Sequence, residues 1–229
     1  MVDISMAQLK LLSNGKYHVV LMPSGSGRSG WNDLAVTRWK EDATLDRWGS
    51  FLLLRGDPDA SVWSAFDTAA FAQRGLRASL EVAVAADADI ELRRLRITNV
   101  SHAASAFSAT SYAELVLAAA ATDSAHPAFN KLFIVTEIEA QPGAILATRR
   151  PSGPSDPTPW LFHQAVAQGE TGALSFETDR MHFIGRGLDV ASAAAMRVGG
   201  PLGCHVGPVL DPIASVRVPL RLADRKSVV

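Results

Sequence analysis

Apolar and polar residues alternate at period two along most of this chain, which predicts strands rather than helices. The clearest runs are Leu80–Ala86, Glu91–Val100 and Ala106–Leu117. In the second, Leu95 and Ile97 alternate with Arg94, Arg96 and Thr98; in the third, Phe107, Ala109, Ser111, Ala113, Leu115 and Leu117 share one face. The intervening NVSHAAS reads as a hairpin-like link. Further strands are expected at Tyr17–Met22, Leu34–Trp39, Gly49–Arg55, Leu132–Glu139, Ala144–Arg149, Leu161–Ala167, Ala173–Glu177 and Ser215–Leu222. In the last, Val216, Val218, Leu220 and Leu222 alternate with Arg217, Pro219 and Arg221, and Pro219 marks an edge strand or a bulge. Pro23–Gly30 and Arg55-Gly-Asp-Pro read as turns from their composition. Pro151–Pro159, with four prolines, reads as a long loop, because strand patterning resumes beyond it. Ala118–Ala121 and Ala191–Ala195 predict one helical turn each.

About ten or more short strands with turn signals between them indicate an all-β sandwich or barrel. A length of 229 residues suits one large β domain, and 48% hydrophobic residues suffice for its core. The formal net charge of −1 argues against a nucleic-acid partner. No apolar stretch reaches the roughly 18 residues of a membrane span, and the start lacks the pattern of a signal peptide. The ending, ADRKSVV, reads as the opening of another strand, so a piece of a longer polypeptide is expected. Cys204 is the lone cysteine and reads as buried or incidental; adjacent strand residues face opposite ways, so His205 is a poor base for it.

Ser13–Arg55 concentrates three of the five tryptophans, four arginines and a Gly/Ser segment. Indole rings stack on the C–H faces of sugars, and guanidinium forks and carboxylates bind hydroxyls. Trp31, Trp39 and Trp48 are candidates for a stacking platform, against the plainer reading that they fill the core. Trp31 follows the Gly/Ser segment and has the best claim to exposure. Arg38, with Glu41 and Asp42, either binds hydroxyls or pairs locally to hold a turn. His126 is a candidate hydroxyl contact or base, with no partner motif nearby, or a loop-fixing residue. Arg149 and Arg150 end a strand. Asp87 and Asp89 lie in a turn and face solvent. His163, His182 and His205 have no metal-ligand spacing, so neither a metal nor a cofactor is expected.

The block SNGKYHVVLMPSGSGRSGWNDLAVTRWKEDATLDRWG, the runs ELRRLRITN and TSYAELVLA, DSAHPAFNKLFIVTE, LATRRP and VGPVLDPIASVRV together resemble one family. It is the β-domain of glycosyltransferase family 36, found in cyclic β-1,2-glucan synthases and in related GH94 enzymes such as cellobiose phosphorylase. The resemblance runs from about Leu12 to Val218. It implies a large antiparallel β-supersandwich of the galactose-mutarotase-like type, with little helix, over residues 1–229. It also implies a neighbouring (α/α)6 barrel that carries the catalytic residues, so no catalytic residue is assigned to this chain. The parent is expected to be associated with an inner membrane, with this domain in the cytoplasm and not inserted. Phe66–Arg77 is shorter than the family pattern. The implied partners are a β-glucan oligosaccharide and the barrel, with Trp31, Arg38, Trp39 and His126 as the sugar contacts. The alternative is a scaffold that binds no sugar and mediates docking or a homodimer. Epimerase activity of the domain itself would require a His/Glu acid–base pair in the sandwich cleft.

Overall fold

A computed structural model describes residues 2–3, 9–22, 25–38, 49–57, 59–154, 156–224 and 227–228. Its strands in chain order are β1 (Val2–Asp3), β2 (Lys10–Ser13), β3 (Tyr17–Leu21), β4 (Gly27–Trp31), β5 (Leu34–Thr37), β6 (Ser50–Asp57), β7 (Val62–Ser64), β8 (Leu76–Val84) and β9 (Glu91–Asn99). They continue with β10 (Ser105–Ala119), β11 (Ile134–Glu139), β12 (Ala144–Arg149), β13 (Trp160–Gln164), β14 (Glu170–Thr171), β15 (Ser175–Asp179), β16 (Pro212–Leu222) and β17 (Ser227–Val228). Short helices are α1 (Thr68–Gln73), α2 (Ala120–Ala125), α3 (Pro127–Lys131), α4 (Arg180–Ile184) and α5 (Ala194–Val198), with a 3-10 turn at Val190–Ser192.

The organising element is β10. Antiparallel β16 lies along one edge, and β6 and then β5 share the other. A register shift between Leu115 and Ala118 moves the strand from one partner to the next. Strands β4, β3 and β2 extend this ten-stranded sheet, and β15 and β14 pair with the far edge of β16. Its front face, which carries Val36, Leu54, Leu115, Leu117, Val216 and Val218, packs beneath two smaller sheets, β1-β8-β9-β17 and β11-β12-β13. Its back face carries Phe51, Leu53, Tyr112 and Ile213 and is covered by α4, the 3-10 turn and α5. The all-β antiparallel class predicted from alternation is what the chain adopts, with only short helices.

The structure corrects three local expectations and decides between the alternatives of a fourth. Pro23–Gly30 is not loop throughout, because Gly27–Trp31 is β4, paired with both β3 and β5. Its glycines make room rather than turns: a Cβ on Gly30 would lie 2.2 Å from His18 Nε2, and one on Gly27 would lie 2.9 Å from the Val20 carbonyl oxygen. Arg55-Gly-Asp likewise continues β6, with Arg55 buried on the back face. The NVSHAAS link joins no hairpin. It carries the chain from β9 in the four-stranded sheet to β10 in the large one, and buried Asn99 fixes the corner by donating Nδ2 to the carbonyls of Ala103 and Ala223. Pro219 sits in an interior strand opposite a one-residue register shift between β14 and β15, so of the two expected readings the bulge holds and the edge strand does not. Its carbonyl accepts from Gly172 N at the break between β14 and β15, so its missing N–H faces an interruption rather than a ladder.

Candidate functional site

The two front sheets leave a cleft of about 850 Å³ between β9 and β13, floored by the large sheet. The floor is apolar: Val36, Ala109, Leu115, Leu117, Val218 and Leu220. Period-two geometry sets the walls. Glu91, Arg93 and Leu95 of β9 and Leu161 and His163 of β13 are partly buried, whereas Leu92, Trp160 and Phe162 are exposed and line the mouth.

A polar cluster occupies one end of the cleft. Ser29 Oγ donates to Glu91 Oε2 at 2.5 Å, Arg93 Nε donates to Glu91 Oε1 at 2.5 Å, and Arg93 Nη2 donates to Ser50 Oγ at 3.0 Å. Burial and the nearby Glu91 charge push the Tyr17 phenol up to about 12. Trp31 closes this end. Its half-buried ring lines the cleft, and its indole N–H donates to Asp89 Oδ2 at 2.7 Å. Asp87 and Asp89 do face solvent. In the middle, His163 Nε2 and Ser111 Oγ lie 2.7 Å apart. Burial, reinforced by the Arg93 charge, lowers the imidazole pKa to about 4, so the ring is neutral at physiological pH.

The other candidate residues lie elsewhere. Arg38, at the end of β5, is buried. It donates Nε to Asp123 Oδ2 at 2.8 Å and Nη2 to Asp123 Oδ1 at 2.5 Å, with Glu114 Oε2 at 3.4 Å from Nη1. Burial disfavours its charge, but Asp123 and Glu114 outweigh this and hold its pKa above the ordinary value. Glu114 also takes hydrogen bonds from Tyr112 OH at 2.9 Å and Arg180 Nε at 3.2 Å, so the cluster ties β5, β10, α2 and α4 together. His126 is exposed at the junction of α2 and α3, three residues beyond Asp123. The fold thus brings His126 to the Arg38 end of β5, whereas Trp31 lies at the other end of that strand. Trp39, Glu41, Asp42 and Trp48 lie outside the described residues.

The sequence pattern of the glycosyl hydrolase 94 supersandwich domain matches residues 3–74 and 66–229, nearly the whole chain. This chain belongs to that family. It is 36% identical over 238 residues to the cyclic beta-(1,2)-glucan synthase NdvB of Rhizobium meliloti (strain 1021). The match covers 95% of this chain and 8% of the relative, so the chain spans a small part of the curated relative's length. The aligned length of 238 exceeds the 229 residues available here, and the two family matches meet at residues 66–74. The alignment therefore includes positions at which the relative has residues that this chain lacks.

The remaining singled-out residues are structural within the supersandwich. Arg149 donates to the Asn130 carbonyl at 3.1 Å and lies over the Phe133 ring, and Arg150 donates to the Leu132 carbonyl at 2.6 Å; both pin α3 to the end of β12. Cys204 is exposed, on a loop rather than a strand, so of the two expected readings the buried one does not hold. His205 Nδ1 lies 2.8 Å from Glu177 Oε2 and its ring stacks on His182, outside the cleft. Among the described residues no cluster has the make-up of a metal site, and no helix is long and apolar enough to cross a membrane. Sequence reading missed Trp160, Phe162, Glu91 and Arg93 as cleft residues. Trp160 closes the proline-rich loop, and alternation about His163 was the available signal for its exposed face.

Proposed function

We propose that this domain binds β-glucan and buttresses an (α/α)6 barrel within a cyclic β-1,2-glucan synthase-like enzyme. The family, and the relative's being a cyclic beta-(1,2)-glucan synthase, support the setting. Trp31 carries the sugar reading: its ring is half-exposed and held edge-on by Asp89, as a preformed platform requires, and Trp160 offers a second ring on the same cleft. Glu91 and Arg93 supply hydroxyl partners beside it. His126, beyond the opposite end of β5, is proposed as a further contact, and so is Trp39 from its sequence pattern alone. Arg38 acts there by holding the α2–α3 corner in place. On this reading residues 1–229 form one domain of a longer, inner-membrane-associated polypeptide, on its cytoplasmic side.

Tryptophan fluorescence titrated with linear β-1,2-glucan oligosaccharides, with cello-oligosaccharides as control, tests the proposal. A saturable, linkage-selective change, weakened about tenfold or more by Trp31→Ala, is expected. No change at millimolar sugar overturns it and favours the scaffold reading, in which the exposed rings bind protein and the domain docks or dimerises.

A further inference from the structure

The cleft is chemically divided along its length. At one end stands the polar cluster of Ser29, Glu91 and Arg93, closed by Trp31. The Ser111–His163 pair stands in the middle. Beyond that pair the lining is aliphatic: Leu52, Leu95, Ile97, Ala109, Val218 and Leu220. These six side chains carry no hydrogen-bonding group. They pack in a different core cluster from Val36, Leu115 and Leu117, which lie on the Trp31 side. On β9 the same division has a length. Glu91 and Arg93 hold the polar part, and Leu95 and Ile97 continue along the same face. At a rise of about 3.3 Å per residue, the aliphatic wall from Arg93 to Ile97 runs about 13 Å.

A glucan suits only the first of these halves. Each glucosyl unit carries hydroxyls, and a hydroxyl laid against the aliphatic half loses water without gaining a partner. Yet both halves belong to one space of about 850 Å³. That volume is typical of small-molecule sites, which span about 300–1,000 Å³ and combine a mostly apolar lining with a few placed polar groups. A ligand that satisfies the whole cleft has hydroxyls at one end and methylenes at the other.

We infer that the cleft binds an amphiphile, with a glucosyl headgroup at Trp31 and a single alkyl tail laid along β9 over Leu95 and Ile97. The headgroup stacks on the indole ring, and its hydroxyls meet Glu91 and Arg93. The tail covers the aliphatic floor, and the length of the wall sets it as a chain of medium length. At the mouth Leu92, Trp160 and Phe162, which stand 59%, 63% and 57% exposed, shield the open side of the tail. The inference rests on the sugar reading at the Trp31 end and extends it to the aliphatic half, which that reading leaves without a ligand.

The test titrates methyl, hexyl and octyl β-glucoside, each below its micelle concentration, into the full chain by calorimetry, with 1-octanol as the control that lacks a headgroup. Affinity is expected to rise about fourfold per added methylene. One octyl glucoside should bind per chain, more tightly than 1-octanol, and Trp31→Ala should weaken it about tenfold. Ala167 follows β13 on a loop and packs partly buried against the aliphatic half. Ala167→Asp sets a carboxylate against the tail and should remove the dependence on chain length. Octyl glucoside binding no tighter than methyl glucoside, 1-octanol binding as tightly as octyl glucoside, or an unchanged chain-length dependence in Ala167→Asp overturns the inference. Linear β-1,2-glucan titrated alongside separates the two readings. Glucan binding without chain-length dependence overturns the amphiphile and leaves the sugar reading standing; chain-length dependence without glucan binding upholds the amphiphile and overturns the glucan.

Discussion

His163 makes the stability of this domain depend on pH in a defined window. Its imidazole faces inward from β13 beside Ser111, and burial with Arg93 lowers its pKa to about 4, against about 6.5 in the unfolded chain. Between those values the unfolded state binds a proton that the native state refuses, so stability rises with pH across the window. The contribution is complete above about pH 6.5 and is lost as pH falls toward 4. The full interval corresponds to about 3 kcal/mol, and by pH 4.5 about 2.5 kcal/mol of it is gone. Carboxylates lose stabilisation over part of the same range, so the informative quantity is a difference between variants. Urea unfolding followed by tryptophan fluorescence at pH 7.5 and pH 4.5 should show a smaller acid loss in His163→Gln, by about 2.5 kcal/mol. The amide keeps a partner for Ser111 without a titrating ring. An identical acid loss in both proteins would show that the ring is solvated in the native state and refute the reasoning.

Other consequences are equally open to measurement. Arg38→Met should destabilise the domain by about 3–5 kcal/mol in urea unfolding, because it leaves Asp123 buried without its guanidinium and Glu114 with that of Arg180 alone. Gly30→Ala should cost about 1–3 kcal/mol by the same assay, since the new methyl group must displace the His18 ring. Asp89→Ala should weaken β-1,2-glucan binding less than Trp31→Ala does, because it releases the indole N–H but keeps the ring; an equal loss in calorimetry would make the carboxylate itself a sugar ligand.

The strands were legible where one face is wet and the other buried. In β9, Leu95 and Ile97 against Arg94 and Arg96 give alternation that matches the observed burial. The same rule failed at β4, where Gly27 and Gly30 look like turn residues but answer to the approach of β3 and of the His18 ring. It failed again at Asn99, because period-two patterning describes each strand and is silent on which sheet receives the next one. Of the site, Trp31 was found through its neighbours in sequence. Trp160, Glu91 and Arg93 come from distant segments that only the packing of two sheets on a third brings together. Arg38 was noticed for a charge that Asp123, 85 residues away, compensates; no local spacing announces such a partner.

The pairing of β10 has a consequence for how the domain comes into being. One edge of this strand waits for β16, with Ala109 opposite Val218, while the other was supplied by β6 and β5 long before. Contacts that distant carry a large loop-closure cost and slow folding. During synthesis the nascent chain must keep a long apolar edge unpaired until Leu222 has left the ribosome. Protection of that edge against aggregation, rather than final stability, is therefore the step at which chaperones would most affect the yield of this protein.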